Sequence, residues 1–175
     1  MERIIEVVPH DPQWARAFER EAAFWRHLLG GEIVSAHHIG STAIRDIYAK
    51  PIIDLLLVVR DIRRMDELDA DLRAHGYLPR GEAGIAGRRF FIKGTESRRT
   101  HHIHVFAEGS PEIARHLEFR DYLNAHPDVA QEYSRLKESL AAAHRHDIDG
   151  YMAGKDAFIQ DVQTRARQWS QARRG

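Results

Sequence analysis

The segment His37-His38-Ile39-Gly40-Ser41-Thr42 and, further along, Asp54 in Pro51-Ile52-Ile53-Asp54-Leu55-Leu56 hold the residue types most suited to chemistry. A glycine closing a strand lets backbone approach an anion, and the Ser41 and Thr42 hydroxyls with a following helical turn supply donors to it. The segment therefore reads as a phosphate cradle built from His38, Gly40, Ser41 and Thr42. Asp54 lies within an apolar run, where an ionised carboxylate is costly unless a cation or hydrogen-bond donors compensate it. A metal ion is one compensator; pairing with Lys50 or Arg60, or capping a nearby loop, is the alternative. Lys50 precedes the same run and can meet a triphosphate as a point charge.

His102 and His104 are two apart on a predicted strand, so both imidazoles face one side of it. A chain with twelve histidines also produces such pairs without function. Residues 80–99 carry six basic side chains (Arg80, Arg88, Arg89, Lys93, Arg98, Arg99) against two acidic ones. That excess either steers an anionic ligand or guards a solvated edge hairpin against aggregation. Arg99, beside the histidine strand, is the member expected to reach a phosphate.

These residues need elements to position them. Asp11-Pro12 starts a helix in which Trp14, Phe18, Ala22, Trp25 and Leu29 form one stripe, and Gly30-Gly31 ends it. Glu32 to Ile39 reads as a strand running into the Gly40-Ser41-Thr42 turn. Pro51 to Val59 reads as a strand covered on both faces, the centre of a sheet. Asp61 caps a second helix bearing Ile62, Met65, Leu68 and Leu72, with Gly76 beyond its end. Gly87 to Lys93 and Arg99 to Phe106 form a hairpin about Gly94-Thr95-Glu96-Ser97. Ser110-Pro111, Pro127 and the stripe from Tyr151 to Trp169 mark three more helices, and the arginine-rich tail from Val162 reads as a fraying end.

Composition bounds the rest. The 175 residues suit one domain, 1–175, with a sheet-containing core over 1–109 and a helical part over 110–175, hence α+β. Lys+Arg and Asp+Glu both number 26, so no global charge favours general nucleic-acid binding. The absence of cysteine excludes disulfides, thiolate zinc and a cysteine nucleophile. The longest apolar run is too short to span a bilayer, and Met1-Glu2-Arg3 opens no signal core, so a cytoplasmic protein is expected. An exposed hairpin edge would allow a homodimer.

Taken together, His38-Ile39-Gly40-Ser41-Thr42, Ala49-Lys50-Pro51-Ile52-Ile53-Asp54, His102-Ile103-His104-Val105, Phe119-Arg120-Asp121-Tyr122-Leu123 and Tyr133-Ser134-Arg135-Leu136-Lys137 resemble the GrpB (UPF0157-type) family, in order from Val8 to about Ile159. The resemblance implies a nucleotidyltransferase-like fold: a small mixed sheet with flanking helices, a glycine-serine turn for nucleotide phosphates, and strand carboxylates for magnesium. Two departures stand out. Leu56 occupies the position of the second carboxylate, and Arg45-Asp46 replaces a Pro-Gly often found after the turn.

The same fold takes a third acidic ligand from a later strand, a place held here by histidine. Asp54, His102 and His104 then make a metal set, softer than an all-carboxylate one and suited to zinc or manganese as well as magnesium. Asp54 and His104 are the catalytic candidates; His38, Gly40, Ser41, Thr42, Lys50 and Arg99 are the phosphate-binding ones. The resemblance further implies that Arg120-Asp121 and Lys137 face the cleft or tie helices to the sheet, with interhelical ion pairing as the plainer expectation. Three functions follow: metal-dependent nucleotidyl transfer from a nucleoside triphosphate to a small acceptor, a module that binds a nucleotide or phosphorylated metabolite without turnover, or a His/Asp metal-dependent hydrolase.

Overall fold

A computed structural model of the chain describes residues 3–175. Met1 and Glu2, read above as part of a segment without a signal core, lie outside them. The first helix, α1 (Gln13–Leu29), starts where the Asp11 carboxylate accepts the Gln13 amide at 2.9 Å and stops at Gly30, whose φ is +54°. Strands β1 (Ile33–Ile39) and β2 (Ile53–Val59) follow, separated by a single 3-10 turn at Ser41–Ala43. Asp61 accepts the Arg63 amide as expected, but the chain then forms a 3-10 turn over Ile62–Leu68, and α2 (Asp69–Ala74) has only six residues. Ile62, Met65 and Leu68 recur every third residue, which suits the three-residue turn of a 3-10 helix better than an α-helix.

Strand β3 (Tyr77–Pro79), too short to show a pattern in sequence, precedes the hairpin of β4 (Arg89–Gly94) and β5 (Arg99–Ala107). The sheet order is β1-β2-β5-β4-β3, with β2 and β5 parallel and the other pairs antiparallel. Strand β2 is flanked on both sides, which explains its continuous apolar run. The hairpin's outer edge is not free, because β3 covers β4.

Helices α3 (Pro111–Ala125), α4 (Pro127–Ala143) and α5 (Ile148–Arg174) complete the α+β fold. The expected frayed tail is helical to Arg174, held by the Arg173 guanidinium 4.5 Å from the Trp169 ring and by Arg174 donating to Glu118 at 3.0 Å. Among the described residues no helix is long and apolar enough to cross a membrane.

Alternation along the strands divides the core. Leu55, Leu57, Val59, Ile103 and Val105 pack beneath Trp14, Phe18, Ala22 and Trp25 of α1. Leu56, Val58 and Phe106 face the other way, beneath Ile113 and Leu117 of α3. Each fully buried aliphatic side chain contributes roughly 1.5–3 kcal/mol, so both faces are committed to their helices. On the second face the apolar pattern gives way at one end, where Asp54, His102 and His104 stand instead.

Candidate functional site

The turn after β1 is shaped around Asp54. Gly40 has φ +73°, and a Cβ there would lie 2.6 Å from Asp54 Oδ2, so only glycine lets the turn pass this close to the carboxylate. The parallel register sets Asp54 beside His102 and Leu56 beside His104. His104 Nε2 lies 3.0 Å and His102 Nδ1 3.5 Å from the same oxygen, Asp54 Oδ1. Burial pushes the Asp54 carboxyl up, but the hydrogen bonds from the two histidines outweigh it and hold the group well below the usual carboxylate range.

An arginine stands behind each imidazole. Arg88 donates to His104 Nδ1 at 3.3 Å, and Arg99 donates to His102 Nε2 at 3.5 Å. Both guanidiniums are anchored: Arg88 by the carbonyls of Glu82 and Ala83, at 3.1 and 2.7 Å, and Arg99 by Glu96 Oε2 at 2.7 Å. Ala83 has φ +47°, a strained conformation for a side-chain-bearing residue, in the turn that holds Arg88.

The helices close the space above Asp54 into a cavity of about 340 Å³, lined by Gly40, Ser41, Thr42, Lys50, His116, Tyr133, Lys137, Tyr151 and Lys155 among others. Three lysines from three segments converge on it. Lys137 on α4 lies 4.6 Å from the Tyr133 ring one turn earlier, and Lys155 on α5 lies 4.5 Å from the Tyr151 ring one turn earlier. Lys50 sits 5.1 Å from the Tyr151 ring. Lys137 is 1% exposed, and its ammonium has no hydrogen-bond partner. Burial, then the charges of Lys155 and Lys50, lower it to about 6. Burial, then Lys155, lowers Lys50 to about 8, and burial lowers Lys155 to about 8 despite the attraction of Asp54. Burial also drives His116 down to about 3, so it is neutral at physiological pH.

The structure brings together Gly40, Ser41, Thr42, Lys50, Asp54, His102 and His104 from the sequence-derived set. It does not place His38 or Arg99 on the cavity. His38 pairs with Leu55 and shares its face, so its ring stacks on Phe18 at 5.1 Å while Nε2 meets Thr42 Oγ1 at 2.9 Å. It meets the turn from the α1 side of the sheet, opposite the cavity. Arg99 reaches His102, not the cavity.

Most of the basic hairpin is likewise spent internally, with Arg80 on Glu96, Arg89 on Asp66 and Lys93 on Glu21. Arg120 ties α3 to the sheet by donating to the His38 carbonyl at 3.1 Å. Lys137 forms no interhelical ion pair; it faces the cavity with Lys155. Two Tyr-x-x-x-Lys steps on otherwise apolar helix stripes, Tyr133 to Lys137 and Tyr151 to Lys155, were the available signal for these lysines. Leu56 is fully buried among Ile39, Val58 and Phe106, so no second carboxylate faces Asp54 from that position. Asp46 has φ +63°, the left-handed conformation a glycine would adopt in the loop where Arg45-Asp46 stands.

The comparisons bear on what this cavity belongs to. Residues 4–165 match the family model described as GrpB protein. The chain is 46% identical over 171 residues to the UPF0157 protein YqkA of Bacillus subtilis, covering 98% of this chain and 50% of that one. It thus spans half the length of that relative. A crystal structure of the conserved protein GrpB from Enterococcus faecalis superimposes with a TM-score of 0.89 at 41% identity, over 94% of this chain and 99% of the other. A dephospho-CoA kinase of Mycolicibacterium paratuberculosis is 28% identical over 192 residues, covering 95% of this chain and 47% of that enzyme. With the match running through the glycine-serine turn, the Asp54 strand and both cavity helices, the chain belongs to the GrpB family.

Proposed function

We propose that this protein binds a phosphorylated small molecule in the cavity over Asp54, with the phosphates held by Lys50, Lys137, Lys155 and the Gly40-Ser41 turn. The observation that carries this reading is the Lys137 ammonium, buried and without a hydrogen-bond partner in a cavity shared with two more lysines. Burial lowers Lys137 to about 6, so the empty cavity disfavours its charge, and an anion entering the cavity compensates the ammonium and favours its protonation. The volume of about 340 Å³ lies at the small end of ligand sites, roughly 300–1,000 Å³, which favours one compact ligand over a nucleotide together with an acceptor.

The metal-dependent readings draw less support. Among the described residues no group of three or more His, Cys, Asp or Glu is arranged to hold a metal ion. The ring nitrogens facing away from Asp54 meet arginine donors, whereas a metal-bound imidazole carries its proton there and requires an acceptor. The donor set therefore does not fit a bound cation, and the reading favoured is binding without nucleotidyl transfer or hydrolysis.

The test is a calorimetric and thermal-shift panel of inorganic pyrophosphate, ATP, dephospho-CoA and phosphopantetheine, with and without EDTA. The coenzyme A precursors are included because the dephospho-CoA kinase relative carries a matching half. Stabilisation by at least one phosphorylated compound, unchanged by EDTA and lost in Lys137→Met, is the expected result. No shift with any of them refutes the anion site, and a shift that EDTA abolishes favours the transfer reading instead.

A further inference from the structure

The contacts of His102 and His104 fix more than their positions. An arginine guanidinium has only donors, so the imidazole nitrogen that it addresses must be the unprotonated one. Arg88 addresses Nδ1 of His104, which leaves the proton on Nε2, aimed at Asp54 Oδ1 at 3.0 Å. Arg99 addresses Nε2 of His102, which leaves the proton on Nδ1, the atom 3.5 Å from the same oxygen. The two rings use opposite tautomers, yet both donate to Asp54.

We propose that Arg88 and Arg99 are positioning residues that keep the Asp54, His102 and His104 set free of divalent cations. A metal entering between the imidazoles and Asp54 would need lone pairs on His104 Nε2 and His102 Nδ1. Each proton would then move to the far nitrogen and meet a guanidinium donor, and the two fixed positive charges would repel the cation as well. The arrangement is built into the fold. Arg88 is 8% exposed, held by two carbonyls of the strained 82–83 turn and 4.8 Å from the Phe90 ring, and that ring packs edge-on against His102. Arg99 is clamped by the backbone carbonyl and carboxylate of Glu96.

This device explains how a strand carboxylate persists beside Leu56 without a second acid: histidine N–H groups take the place of a metal as its compensating donors. It concerns the same site as the phosphate reading but stands without it, because its test needs no phosphate ligand.

Long-range proton–nitrogen NMR of histidine-labelled full-length protein at pH 7.5, assigned with His102→Gln and His104→Gln, reads the tautomers directly. His104 is expected with its proton on Nε2 and His102 with its proton on Nδ1. The opposite tautomer at either ring overturns the proposal. Calorimetric titration with zinc alone should show no 1:1 site in the wild-type chain that His104→Gln removes; finding one also overturns it.

In Arg88→Gln/Arg99→Gln the glutamine oxygens supply acceptors behind the rings, and zinc should bind at least about tenfold tighter than to the wild type. Arg88→Lys keeps a donor and should behave as the wild type does. A double variant with native circular dichroism and no gain in zinc affinity refutes the role assigned to the arginines. If that variant does not fold, the wild-type NMR decides alone. Loss of these results together with retained pyrophosphate binding would remove the arginine device and leave the anion site standing.

Discussion

Replacing Lys137 by Met should make the empty protein more stable and its grip on phosphate weaker. Met has nearly the same length and flexibility, so the substitution removes a buried amine with little change in packing. The folded lysine is lowered from the ordinary 10.5 to about 6, so at pH 7 folding requires loss of a proton that the unfolded chain keeps. At about 1.36 kcal/mol per pH unit between pH 7 and 10.5, that requirement amounts to about 5 kcal/mol before relaxation of the site. A gain of the order of 2–4 kcal/mol in Lys137→Met is therefore expected, read by urea unfolding at pH 7 or as about 2–4 °C in Tm per kcal/mol.

The sign can be checked independently with pH. Because the lysine is lowered on folding, the unfolded state binds more protons between about pH 6 and 10.5, and wild-type stability must rise with pH through that window. Between pH 7 and 8 Lys137 alone contributes about 1.2–1.4 kcal/mol of increase, with smaller additions from Lys50 and Lys155. The variant should lose that slope and should also lose stabilisation by pyrophosphate. A variant less stable than wild type at pH 7, or one that keeps the same slope between pH 7 and 8, would show that Lys137 is already compensated and would refute the reasoning.

Glu21→Gln on α1 should destabilise by roughly 1–3 kcal/mol in urea, because the buried carboxylate accepts from Trp25, Tyr77 and Lys93, and the half-exposed lysine keeps water and the Tyr77 ring when its ion pair is lost. Gly40→Ala should cost roughly 1–3 kcal/mol from its positive φ alone, and should weaken pyrophosphate binding by pressing on Asp54 Oδ2; unchanged affinity would remove the turn from the site. Acid should also weaken the fold. Burial lowers His38 to about 4 and His116 to about 3, so the unfolded chain binds the extra protons and stability falls as pH drops from about 6.5 toward 4. His116→Phe should flatten part of that fall in urea titrations taken at several pH values.

Strong local patterns were legible in the chain itself. The α1 stripe with its Asp11 and Gly30 ends, the β2 run that is apolar apart from Asp54, and the proline-started helices each rest on spacing and capping within one segment, and the structure reproduces them. Strand β3 and the 3-10 turn over Ile62–Leu68 were not legible. Three residues carry too little period to signal a strand, and a spacing of three fits either helix type. Within the site, Gly40, Ser41, Lys50, Asp54, His102 and His104 declared themselves by type, because each is an unusual residue for its local setting.

What the sequence determined was therefore the set of elements, the presence of a carboxylate and two histidines on strands, and the family. The tertiary structure decided which face each side chain occupies and what it meets there. Strand register turns His38 toward Phe18 and away from the cavity, and places His102 and His104 beside Asp54 with an arginine behind each ring. Helix packing leaves Lys137 buried over the Tyr133 ring without a hydrogen-bond partner and brings Lys155 and Lys50 alongside it. A charge is stabilised or stranded by neighbours tens of residues distant along the chain. Which partner a polar side chain finds is set by those distant contacts and not by any local pattern: His104 meets Asp54 from fifty residues away, and Lys137 shares its cavity with Lys50 and Lys155.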